Sequence, residues 1–215
     1  MVSPPQRLGP ESHEEGTPDE WVSASFLDRR LLEKRVLTLI GDVDEEKMGL
    51  LVSALLLLDQ DSMEPITLYI SSGGGDVYPM LMAYDIIQSL RSPVSTVCLG
   101  QACSAAAVLL AGGSPGRRLA YPSATVMMHP GWVGGIHGSI PDVASAIKHS
   151  VSLDDRIWKI LSRHTGQSTK KIMADCRSER YFSATEARRY GFVDKVVPRR
   201  RKAGTPKRKR RAKRA

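Results

Sequence analysis

Between residues 36 and 197, short apolar runs alternate with segments whose apolar residues recur every three or four positions. Val36–Ile40 reads as a strand stopped by Gly41. Asp42, Asp44, Glu45 and Glu46 follow, the acidic first turn that favours a helix start. Met48, Leu51, Val52, Leu55 and Leu58 then repeat at helical spacing and predict a helix to about Leu58 with a broad apolar face. Residues 66–70 predict a strand, 71–76 (SSGGGD) a glycine loop, 77–90 a helix, 94–99 a strand and 104–110 the start of another helix. Two strands, 118–121 and Thr125–Met128, precede a Gly-rich stretch and a long helix from about Pro141 to His164. Ala184–Tyr190 predicts a last helix, leading into an apolar strand over 192–197. Continuous apolar strands bracketed by helices imply an α/β fold with a mostly parallel sheet covered on both faces.

Both ends depart from this pattern. Residues 1–25 are rich in Pro, Gly, Ser and Glu without hydrophobic period, which predicts a flexible arm. At the other end, residues 199–215 hold eleven Lys and Arg and no acid, so the net charge of +8 conceals a body, residues 1–198, at −3. The domain is therefore expected over 26–197, with a solvated basic tail over 198–215, and nucleic-acid binding is not expected. With 41% hydrophobic and 25% charged residues, the 215-residue chain has the composition of one soluble globular domain.

Other classes drop out. The longest stretch dominated by apolar residues, 50–58, spans nine residues, about half of what a membrane span requires. The first twenty residues carry one Arg and five acids and no apolar core, unlike an export signal. Cys98, Cys103 and Cys176 are odd in number and lack metal-ligand spacing, which argues against a disulfide framework and a zinc site, so a reducing, cytoplasmic setting fits.

Three short segments carry chemistry. Ser104 stands between a strand and an Ala-rich helix, where free N–H groups and the positive dipole end favour an oxyanion. A serine there equally suits a helix cap. His129 ends a strand and precedes Pro130 and Gly131; imidazole is the side chain best suited to accept a serine proton near neutrality. The glycine loop lacks both phosphate-binding patterns, but its backbone can approach a substrate carbonyl, with the Gly75 N–H facing the oxyanion.

Taken together and in order, YISSGGGDV (69–77), VSTVCLGQACSAAAVLLAGG (94–113), ATVMMHPG (124–131) and RSERYFSATEARRYGFVD (177–194) resemble the proteolytic subunit of the Clp protease, ClpP. LLEKRVLTLIG (31–41) and HTGQS (164–168) extend the resemblance over about residues 26–197. It implies a ClpP/crotonase-like α/β fold with a handle helix and strand, the strand supplied by residues 131–139. It implies a serine endopeptidase with Ser104 as nucleophile, His129 as base, Glu179 as the third catalytic residue, and Gly75 and Ala105 as oxyanion donors. Two stacked heptameric rings, homomeric or shared with a paralogous ClpP, would enclose unfolded polypeptides delivered by an AAA+ unfoldase of the ClpX, ClpA or ClpC kind. That unfoldase alone would consume ATP.

The chain departs from the family pattern at the site itself. Glu179 stands where the family has Asp, Arg177 and Ser178 where it has an acid and an Arg, and Asp76 where a small or apolar residue is common. These departures motivate an alternative, a weakly active or inactive structural or regulatory subunit of a mixed ring.

Overall fold

The structure, a computed structural model, describes residues 24–131 and 134–198. Most of the expected arm and basic tail lies outside these residues. The described chain begins with α1 (Ala24–Glu33), a helix absent from the sequence reading, and continues through β1 (Val36–Ile40) and α2 (Glu45–Asp61). Asp44 caps α2 by accepting from the Lys47 N–H at 2.8 Å, and the apolar face buries Met48, Leu51, Leu55 and Leu58. After β2 (Ile66–Ser72) and α3 (Val77–Ser89) comes β3 (Val94–Cys103), then α4 (Ala105–Ala111), β4 (Arg118–Ala120) and β5 (Thr125–Met128). The remaining elements are α5 (Ile140–Thr165), α6 (Thr169–Asp175), β6 (Arg180–Ser183), α7 (Ala184–Tyr190) and β7 (Lys195–Val196).

Strands β1-β2-β3-β4-β7 form one parallel sheet in that order, as the alternation of apolar runs and helices implied. α2 packs on α3, α3 on α4, and α4 on α5. The core lies between these helices and the strands and includes Leu55, Leu68, Ile70, Leu110, Trp158 and Phe192.

One departure from regularity organises the site. β3 is longer than expected and serves two neighbours, its first half pairing with β4 (Thr96↔Arg118) and its last residues with β5 (Cys103↔Met127). The turn between these halves is made at Gly100, which has φ 61, where the pairing with β2 skips from Ile70↔Cys98 to Ser72↔Ala102. β5 in turn pairs antiparallel with β6, a strand unforeseen in the sequence. The expected strand over 192–197 is only two residues long, because Phe192 and Val193 turn into the core instead of pairing. Among residues 131 and 134–139, the segment expected to supply the handle strand, no strand forms. It carries four glycines, and the Gly131 N–H bonds to the Asp154 side chain at 2.9 Å.

Arg118 locks the far end of this arrangement. Its guanidinium donates to both Asp194 carboxylate oxygens (2.7 and 3.1 Å) and to the carbonyls of His164 and Gly191 (2.8 and 2.9 Å). Burial alone would raise the Asp194 carboxyl, but the hydrogen bonds from Arg118 outweigh it and hold the group below its usual range.

Candidate active site

Ladder register brings the candidate residues to one end of the sheet. Cys103 pairs with Met127 across the parallel β3–β5 ladder, so Ser104 and His129 both leave their strands at the same edge. On the other side of β5, Met128 pairs with Arg180. One further step along that antiparallel register sets His129 opposite Glu179.

Ser104 is held in a conformation few side chains adopt, with φ 52 and ψ −120. Its N–H donates to the Met127 carbonyl at 2.8 Å, and its carbonyl accepts from Ala107 at 2.9 Å. Its hydroxyl makes no capping hydrogen bond, so the plain capping role is not the one it plays. A residue kept at such a backbone geometry costs on the order of 1–3 kcal/mol, and such costs cluster where a site needs a side chain aimed outward.

The glycine loop is pressed against this turn. A Cβ on Gly74 would lie 2.8 Å from the Ser104 Cβ and 2.8 Å from the Cys103 carbonyl oxygen. Gly75, at φ 147, sits so close to Val43 that a Cβ would lie 2.3 Å from its carbonyl oxygen. Three hydrogen bonds pin the loop: Gly74 N–H to Ser72 Oγ (3.1 Å), Val43 N–H to the Gly74 carbonyl (2.8 Å) and Asp76 N–H to the Val43 carbonyl (2.8 Å). Val43 is thus a structural partner of the loop that no local pattern singles out. Among the described residues the Gly75 N–H has no hydrogen-bond partner, and Ala105 is the first residue of α4, where the N–H has no partner within the helix.

These groups open on one cavity of about 400 Å³. Ser104, Ala105, His129 and Gly75 line it, and Val77, Met80, Val108, Met128 and Ile157 make its walls apolar. Asp76 and Asp154 bring two carboxylates to it. Asp154 was not foreseen; its spacing four residues before Trp158 on a helix was the available signal. Its oxygens accept from the Gly131 N–H at 2.9 Å and from the Trp158 indole N–H at 3.1 Å, so it ties the chain just beyond His129 to α5.

Glu179 is not among the cavity's lining residues. Its Oε2 accepts the Tyr181 hydroxyl at 2.7 Å. No hydrogen bond joins Ser104, His129 and Glu179 to one another, although the strands set them side by side. Glu179 still makes itself felt at the end of β3: the Cys103 thiol is pushed up first by burial and then by the Glu179 charge. Burial pushes Cys98 up to about 12, and all three cysteines are buried thiols without the character of nucleophiles.

A strained serine at a strand–helix turn, a histidine on the same cavity and unpaired N–H groups beside it are the kinds of group that acyl transfer uses. The Clp protease family model matches residues 21–200, which takes in every one of these residues. The chain belongs to the Clp protease family, and its mixed α/β fold with a mostly parallel sheet is that of ClpP.

Proposed function

We propose that the chain is the serine endopeptidase subunit of a compartmentalised, cytoplasmic Clp protease. The observation that carries this reading is Ser104: a strained turn presents a hydroxyl free of capping bonds to the cavity that also holds His129. His129 takes the Ser104 proton as Oγ bonds to the substrate carbonyl carbon, and the N–H groups of Gly75 and Ala105 hold the oxyanion. Collapse breaks the peptide C–N bond, with the proton passing from His129 to the departing amine. Water then attacks the acyl ester, His129 again accepting the proton, and Ser104 is regenerated. Glu179 keeps the proton on the far imidazole nitrogen. The active site itself needs no metal or organic cofactor. Substrates are unfolded polypeptides threaded by an AAA+ unfoldase of the ClpX, ClpA or ClpC kind into stacked heptameric rings, homomeric or shared with a paralogous subunit.

The absence of hydrogen bonds joining Ser104, His129 and Glu179, with Glu179 off the lining of the cavity, favours a second reading in which the subunit is silent and shapes a mixed ring. Catalytic hydrogen bonds commonly tighten only once substrate is bound, which keeps the first reading ahead. Treatment with a fluorophosphonate, followed by mass spectrometry, separates the two. An adduct on Ser104 that is lost in Ser104→Ala is the expected result; an assembled protein that stays unlabelled supports the silent subunit.

A further inference from the structure

Glu179 has a neighbour that the reaction scheme does not use. Side chains alternate between faces along an extended chain, so Glu179, the residue just before β6, falls on the same face as Tyr181. Across the ladder Tyr181 pairs with Met127, and His129 follows two residues later on the same face of the sheet as Met127 and opposite Glu179. Tyr181 is 60% exposed, so the core does not require this ring. Its hydroxyl nevertheless donates to one particular oxygen of Glu179, Oε2, at 2.7 Å. Oε1 accepts no hydrogen bond among the described residues.

The inference rests on the serine-peptidase reading above. We propose that Tyr181 is a positioning residue for that reaction: by holding Oε2 of Glu179 it fixes the carboxylate so that Oε1 is presented to His129. The chemistry of the third residue calls for such a device. A glutamate reaches farther than an aspartate but has one more rotatable bond, and a carboxylate free to rotate seldom points at the imidazole. A hydrogen bond from a phenol anchored on β6 two residues away removes that freedom. It leaves the second oxygen to accept from the imidazole N–H, which sets the tautomer needed for Ser104 to lose its proton. The same contact accounts for the Tyr181 phenol titrating above its ordinary range, with the hydrogen bond to Glu179 as the largest cause.

The test uses the full-length protein and a small fluorophosphonate, with the maximal labelling rate and the half-saturating concentration measured separately. Tyr181→Phe removes one oxygen from an exposed ring, and its thermal midpoint should match the wild type. The expected result is a maximal labelling rate lowered roughly tenfold, as for a small misplacement of a catalytic group, with the half-saturating concentration unchanged. In a Glu179→Ala background the same substitution should have no further effect, because the carboxylate it acts on is gone. Labelling of Tyr181→Phe at the wild-type rate, or an equal loss with and without Glu179, overturns the inference and leaves the peptidase reading standing. A wild-type protein without an adduct on Ser104 overturns both.

Discussion

At position 75 only glycine meets two demands at once. Its φ of 147 lies where side chains are rarely tolerated, and a Cβ would fall within 2.3 Å of backbone that cannot move without opening the Val43 bridge. Gly75→Ala should therefore cost roughly 1–3 kcal/mol of stability. Because its N–H is one of the two proposed oxyanion donors, labelling of Ser104 should fall about a hundredfold or more. Gly73, two residues earlier, has ordinary backbone geometry and open space where a Cβ would go. Gly73→Ala should leave stability within about 0.5 kcal/mol of the wild type. Calorimetry and labelling on the pair check both expectations, and equal behaviour of the two variants would contradict them. The contrast also marks how far sequence reaches at this scale. Three consecutive glycines announced a loop at a strand end, but only the distances to Val43 and Ser104 show which glycines the fold requires.

The elements are joined at the site by few bonds, and two of them can be tested. Asp154 on α5 satisfies both the Gly131 N–H and the indole N–H of Trp158, whose side chain is almost completely buried. Removing the acceptor leaves the part-buried indole N–H unsatisfied, which costs about 1–3 kcal/mol, whereas the exposed Gly131 N–H can turn to water. Asp154→Ala should lower stability by that amount in denaturant unfolding, and Asp154→Asn, which keeps one acceptor oxygen, by less. Near the C-terminal end of α5, His164 Nε2 shares a hydrogen bond with the Tyr84 hydroxyl at 2.8 Å and lies against Arg118 and Arg163. Burial first, and then those two positive charges, lower it to about 4 from an ordinary value of 6.5. The unfolded chain thus binds a proton at this position at a pH where the folded chain does not. The resulting stabilisation is complete above pH 6.5, shrinks as pH falls, and is gone below about 4. Between pH 7 and pH 5, where most carboxylates do not yet titrate, the wild-type thermal midpoint should fall, and His164→Asn should flatten that dependence. A slope unchanged by the substitution would show that other groups set it.

At the scale of the whole molecule, what could be read in advance was whatever the chain encodes locally. The helical spacing of Met48, Leu51, Leu55 and Leu58, the acidic first turn of α2, and the strand ends at Ser104 and His129 all lie within a few residues of what they determine. β6 escaped because Arg180, Tyr181, Phe182 and Ser183 become a strand only by pairing with β5, some fifty residues away. For the same reason the setting of Glu179 against Tyr181 could not be foreseen. α5 shows a further kind of non-local information. Its buried residues, among them Ile157, Trp158 and Leu161, all lie in its last third. In the first part, Ile140, Ile147 and Val151 are exposed at 87%, 51% and 65%. Spacings of seven and eleven residues put these three on one stripe of the helix. An exposed apolar stripe of this kind gains free energy only when covered, and ring stacking in the proposed assembly would cover it. Replacing Ile147 and Val151 together by Glu should shift sedimentation from the large assembly to smaller species, while leaving the thermal unfolding of the body, whose core these residues do not join, little changed. Ser152→Glu, about a third of a turn round the same helix, should leave assembly intact. Full assembly of the double variant would show that the stripe is not what joins the subunits.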